Sequence, residues 1–128
     1  MWLKKKTTTA VTGRLGETLA LEFLLGLRYA IIEKNYRKPF GEVDIIARDR
    51  DTLVFIEVKT RQSTVFGTPF EAVDARKQRQ LSRVALEYLQ TRGRADTPAR
   101  FDVIAVRLDL DNRPAAIEHL KNAFDFAL

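Results

Sequence analysis

Apolar positions along the 128-residue chain switch between two periods. From Arg14 to Leu27 they fall at Leu15, Leu19, Phe23 and Leu24, with Ala20 and Leu27 beside them, the 3.6-residue spacing of an amphipathic helix. Gly26 stands where such a helix can end. Tyr29–Glu33 then reads as a short strand, and Asn35–Phe40, broken by Pro39, as a loop. Gly41–Arg48 and Thr52–Thr60 are apolar strands joined by a charged turn, which predicts an antiparallel hairpin. Gln62–Gly67 reads as a loop. Thr68-Pro69-Phe70-Glu71 carries a helix-start signature, with threonine as N-cap, proline in the first turn and glutamate three residues after the cap. The helix it opens is predicted to reach Thr91 and to bury Val73, Leu81, Val84, Ala85, Tyr88 and Leu89. Arg100–Leu108 alternates as a strand, and Ala115–Leu120 adds a shorter one. The order αβββαβ with a final strand predicts an α/β (α+β layered) fold.

Charges interrupt both hairpin strands. Glu57 and Lys59 lie two apart in LVFIEVKT, and Asp44 lies in GEVDIIAR. Side chains alternate along a strand, so Glu57 and Lys59 share a face with Leu53 and Phe55. Alone, the two read equally well as a surface ion pair. Asp44 joins them if the position numbers of opposed residues add to an odd sum. That register also gathers Val43, Ile45, Val54, Ile56 and Val58 on the other, wholly apolar face. Like charges at cross-strand positions repel, so the fold gains nothing from this arrangement. A hard divalent cation removes the conflict, because Mg²⁺ binds through one or two carboxylates and accepts phosphate oxygens. Lys59 would then stand beside the phosphate or the nucleophile.

Composition narrows the chemistry. There are 22 Lys and Arg against 17 Asp and Glu, a net charge of +5, which favours an anionic partner such as nucleic acid. Without cysteine there is neither a disulfide nor a thiolate metal site, and His119 is the only histidine. Hydrophobic residues make up 45%, enough for one core. No apolar run follows Lys4, Lys5 and Lys6 as a secretory signal requires, and none reaches membrane-spanning length. The sequence is therefore read as a cytoplasmic protein without a membrane partner, with a flexible basic tail over residues 1–12 and one domain over 13–128. Arg14, Arg61 and Lys77 are candidate phosphate contacts. Tyr36 and Phe66 are better read as packing residues than as base-stacking ones, His119 as structural, and Asp102 carries no assigned role.

Asp44 followed by Glu57-Val58-Lys59 resembles the D…ExK core of the restriction-endonuclease-like, PD-(D/E)xK, superfamily of nucleases. GRLGETLALEFL, NYRKPFGEVDIIARD, LVFIEVKTRQ, FGTPFEAVDARKQRQLSRVALEYL, RFDVIAV and IEHLKNAF are together similar to the YraN-like family of predicted bacterial endonucleases, relatives of archaeal Holliday junction resolvases. The resemblance implies a mixed sheet of about five strands flanked by helices and a Mg²⁺- or Mn²⁺-dependent endonuclease acting on DNA, including branched DNA, in repair or recombination. It assigns Asp44, Glu57 and the Val58 carbonyl to the metal, Glu17 to metal or nucleophile support, and Lys59 to catalysis. Val43 stands where the superfamily's eponymous proline would be. The resemblance also admits a homodimer, since a four-way junction offers two symmetric cleavage points. The alternative reading is a nucleic-acid-binding module or adaptor that keeps the fold without cleaving.

Overall fold

The computed structural model describes residues 2–63 and 73–127, with side chains from residue 10 onward. Its elements run α1 (Trp2–Gly26), β1 (Ala30–Lys38), β2 (Gly41–Asp49), β3 (Thr52–Gln62), α2 (Ala75–Thr91), β4 (Ala99–Leu108) and β5 (Pro114–Phe124). The strands form one mixed sheet in the order β1-β2-β3-β4-β5. Only β3 and β4 are parallel. A parallel pair needs a crossover connection, and the segment containing α2 makes it.

Two apolar clusters lie on opposite faces of the sheet. Leu53 and Phe55 of β3 join Leu81, Val84, Tyr88 and Leu89 of α2. Their neighbours Val54 and Ile56 join Ala20 and Leu24 of α1. Among the described residues one helix covers each side of the sheet, and the central strands β3 and β4 carry buried residues on both faces. No described helix is long and apolar enough to cross a membrane.

The α1 stripe differs from the leucine-based one expected. Thr12, Gly16, Ala20 and Leu24, spaced by four, are the buried positions, while Leu15, Leu19 and Phe23 flank them and Leu27 is exposed. Small residues at Gly16 and Ala20 let the helix axis approach the sheet. A Cβ added at Gly16 would stand 1.8 Å from Thr60 Oγ1. Helical backbone also covers most of segment 1–12, read from sequence as a flexible tail. Lysines are good helix formers and nothing between Trp2 and Val11 breaks a helix already nucleated. At its other end α1 stops at Gly26, as the sequence suggests, and the left-handed closing residue is Arg28. Arg28 is left-handed (φ 67°), and Arg28 and Tyr29 N–H return to the Leu25 and Leu24 carbonyls, a Schellman closure.

Two further boundaries depart from the sequence reading. Asn35–Lys38 belongs to β1, because pairing with β2 runs to Lys38↔Gly41 and leaves only Pro39 and Phe40 as the turn. Tyr36 is thereby buried against Tyr88, their rings edge-on at 5.1 Å, which makes it the packing residue anticipated. α2 starts at Ala75, capped by Asp74, whose carboxylate accepts from Lys77 N–H at 2.8 Å. The signature at Thr68–Glu71, most of the Gln62–Gly67 loop and Phe66 lie outside the described residues. All six residues expected to be buried over 73–89 are so.

The hairpin register is the one the apolar pattern favours. Ile45 opposes Ile56 and Ala47 opposes Val54, a position sum of 101. One residue breaks the expected face. Val43 packs with Ile46, Leu53 and Phe55 on the α2 side, not with Ile45 and Ile56. Val43 and Ile46 are three apart yet share a face, so alternation fails once, at Asp44. Opposite it in the β1–β2 register lies Asn35, left-handed at φ 52°.

Candidate functional site

The β2–β3 ladder stops at Ile45↔Ile56. The next step of the same register would set Asp44 opposite Glu57. Instead of a ladder bond, Val58 N–H donates to Asp44 Oδ2 at 2.8 Å. The carboxylate therefore occupies the fork where the two strands part. Burial is the largest influence on it and the neighbouring Glu57 carboxylate the second. Together they push the Asp44 pKa from 3.8 up to about 7 against the pull of the Val58 N–H.

Glu57 projects from β3 on the α2 side. Its Oε2 lies 3.4 Å from Lys77 Nζ, and its side chain is only 13% exposed. Lys59 and Arg61 follow at two-residue steps on that side, Lys59 half-buried and Arg61 exposed. Glu17 reaches the fork from α1. It lines, with Asp44, Asn35, Glu42 and Thr60, a cavity of about 580 Å³. Its pKa is raised by burial and then by Asp44 and Glu42, with Arg37 and Lys34 pulling the other way. Arg14 lines an adjoining cavity of about 240 Å³ together with Glu17 and Asp44.

The structure thus gathers Glu17, Asp44 and Arg14 around one cavity, whereas Glu57, Lys59 and Lys77 lie on the α2 side of the sheet, Glu57 alone neighbouring Asp44. Lys77, expected as a phosphate contact, is engaged with Glu57. Among the described residues no three acidic or histidine side chains converge as a ready ligand set. Asp44 and Glu57 form a carboxylate pair, with Glu17 in the same cavity as Asp44 but outside any such triad. A two-carboxylate site completed by water and substrate oxygens suits Mg²⁺ or Mn²⁺. Asp44's partly buried carboxylate, which has no cationic partner among the described residues, fits a cation there.

Glu42 and Asn35 were not anticipated. With its amide turned to donate, Asn35 bonds Glu17 Oε1 at 3.1 Å and Glu42 Oε1 at 3.2 Å, so it holds the two acids of α1 and β2 together. Glu42 precedes Asp44 by two residues, and that strand spacing was the signal available. Asp102 and His119 belong elsewhere. Asp102, 1% exposed, accepts from Arg100 Nε at 3.0 Å and Asn122 N–H at 3.0 Å, and pairs with His119 Nε2 at 2.7 Å.

A raised carboxylate pKa has a fixed sign. The folded state holds the proton more tightly, so this contribution to stability is full below pH 3.8 and is lost as pH rises through about 7. Asp44→Asn keeps an acceptor for Val58 N–H and cannot ionise. Thermal melts of the metal-free protein are expected to show the variant more stable than the parent at pH 8, with the gap closing toward pH 4. A constant gap across that range would contradict the burial of an ionisable Asp44.

A family model described as "Uncharacterised protein family UPF0102" matches residues 16–106, which include Glu17, Asp44, Glu57, Lys59 and Lys77. A UPF0102 protein of Geotalea daltonii is 51% identical over 122 residues, 95% of each chain. One of Moorella thermoacetica is 50% identical over 112 residues, 88% of this chain and 93% of the relative. One of Syntrophus aciditrophicus is 47% identical over 123 residues, 96% and 95%. The chain belongs to the UPF0102 family.

Proposed function

We propose that this protein is a metal-dependent phosphodiesterase of the restriction-endonuclease-like, PD-(D/E)xK, type, cleaving DNA according to its structure, as in repair or recombination, and related to archaeal Holliday junction resolvases. The observation that carries this reading is the Asp44 carboxylate, partly buried beside Glu57 at a strand fork with its pKa pushed up to about 7. Natural folds keep such costly groups chiefly at working sites.

Asp44, Glu57 and the Val58 carbonyl would hold Mg²⁺ or Mn²⁺, with Glu17 supporting them from α1. The bound ion would supply Lewis-acid stabilisation of charge on the phosphodiester. Lys59 orients the nucleophile and offsets negative charge developing on the phosphate. Arg14 and Arg61 contact neighbouring phosphates, giving affinity without base readout. Asn35 fixes Glu17 and Glu42, so the acidic groups are positioned before substrate arrives.

The test is cleavage of branched, single-stranded and duplex DNA with Mg²⁺, Mn²⁺ or chelator. Metal-dependent cutting that disappears in Lys59→Ala and Asp44→Asn, with DNA binding retained, is the expected result. DNA binding indifferent to chelator, with no substrate cut, would instead support the second reading, a non-catalytic nucleic-acid module. The Glu57–Lys77 ion pair is the observation that favours this alternative. On the main reading Lys77 supplies, in the absence of metal, the positive charge Glu57 requires. Lys77→Met is then expected to tighten Mn²⁺ binding on the order of tenfold in calorimetry; weaker binding would make Lys77 a supporting residue instead.

A further inference from the structure

A second cavity lies at the far end of the sheet. It has a volume of about 390 Å³ and is lined by Leu27, Arg28, Tyr29, Asp49, Arg50 and Lys121. These residues come from the end of α1, the β2–β3 turn and β5. Arg28, Arg50 and Lys121 are exposed, and among the described residues none of them makes an ion pair. Lys121 Nζ stands 5.9 Å from the centre of the Tyr29 ring. The one carboxylate in the lining, Asp49, is engaged by Arg100 at 3.0 Å. The cleft therefore presents three cations with no anion of their own.

The backbone supplies an independent observation. Arg28 and Arg50 are both left-handed, at φ 67° and 57°. One closes a helix and the other opens a two-residue hairpin turn, positions where glycine is the least strained choice. An arginine at each costs the turn something and contributes nothing to it. What it adds is the guanidinium at the rim of this cleft.

We propose that the cleft binds a phosphate group, and, resting on the proposed nuclease function, that this phosphate belongs to the backbone of the same nucleic acid that reaches Asp44. Asp49 lies five residues beyond Asp44 on β2, about 17 Å at roughly 3.4 Å per residue. At about 3.4 Å of rise per base pair, that is about five base pairs along one strand. The cleft would fix the direction of the DNA across the sheet and leave cleavage chemistry to the fork.

The test is the salt dependence of DNA binding, read by fluorescence anisotropy in chelator on a duplex of about 20 base pairs. The parent is compared with an Arg28→Gly, Arg50→Gly, Lys121→Gln variant. Glycine suits both left-handed positions, so a melting temperature at or above the parent's is expected and verifies the fold. The variant is expected to bind about tenfold more weakly, with a log–log salt slope shallower by about 1 to 2, since each neutralised phosphate contributes about 0.9. An unchanged slope overturns the DNA assignment. Inorganic phosphate is titrated separately, followed through the amide signals of Arg28, Arg50 and Lys121. Shifts there with an unchanged DNA slope mean that the cleft takes a small phosphate, and no change in either arm removes the site altogether. Because no cleavage is measured, a nuclease with an unchanged slope contradicts only the cleft. A shallower slope in a protein that cuts nothing contradicts only the nuclease.

Discussion

Replacing Asp102 with alanine is expected to destabilise the protein by about 3–5 kcal/mol, the cost of stranding buried partner charges. The carboxylate is the hub of one end of the sheet. It takes hydrogen bonds from Arg100 Nε and from Asn122 N–H, and it pairs with His119. The Asn122 N–H is available because the β4–β5 register shifts between Phe101 and Val103. Arg100 in turn reaches Asp49 Oδ2 at 3.0 Å and the Tyr29 hydroxyl at 2.7 Å, so the carboxylate and Arg100 together tie β5 and β4 to the end of β2 and to the residue before β1. Burial pushes the Asp102 pKa up, but the bonds from His119, Arg100 and Asn122 together outweigh it and leave the pKa lowered. A lowered carboxylate pKa stabilises above its unfolded value of 3.8, and the benefit is lost as pH falls through the folded value. Urea unfolding between pH 7 and pH 2 should therefore show the parent losing its advantage over Asp102→Ala at the acid end. An advantage that does not change with pH would mean the carboxylate contributes by shape alone.

Gly16→Ala is expected to cost about 1–3 kcal/mol, the usual range for overpacking. It is also expected to reduce cleavage by about 10²-fold, the loss that small misplacement of a reacting group can produce. The added methyl would meet Thr60 Oγ1 at 1.8 Å and Thr60 Cβ at 2.7 Å, and the Cβ contact survives any rotation of the Thr60 side chain. The helix must lift from β3, and Glu17, the next residue, moves with it. Gly13→Ala is the control. Its Cβ would meet nothing within 4 Å, and alanine gains about 0.5–1 kcal/mol over glycine inside a helix. Thermal melts and cleavage rates on both variants separate the two effects. If Gly16→Ala behaves like Gly13→Ala, α1 is not seated on β3 as described.

The hairpin register was legible because two strands with apolar residues on both faces leave little choice. A slip of one position would drive Asp44 or Glu57 into a core. Glu57 and Lys59 stood out for the same reason, as charges in a run suited to burial. The break at Asp44 was not legible. It depends on the left-handed Asn35 in the neighbouring strand, and nothing within β2 announces that Val43 turns to the α2 face. The α2 start was obscured by competing caps, since Thr68 and Asp74 both carry local start signals and only Asp74 has a described capping bond. Asp102 hid in an apolar strand, and two of its three partners, His119 and Asn122, lie on β5. Arg100, two positions earlier on the same face, was the only nearby sign. The long α1 stripe was misread because Gly16 and Ala20 bury by being small, which a hydrophobicity pattern records weakly.

The central claim is that Asp44 and Glu57 form a cation site. Calorimetric titration of Mn²⁺ into the metal-free protein at pH 6.5 and pH 8.5, in buffers of different ionisation heat, tests it most directly. A carboxyl held near pH 7 must give up its proton to bind metal. The expected result is binding accompanied by proton release at pH 6.5, little release at pH 8.5, and loss of binding in Asp44→Asn and Glu57→Gln. Saturating Mn²⁺ that produces no binding heat, or binding that survives both substitutions, would contradict it.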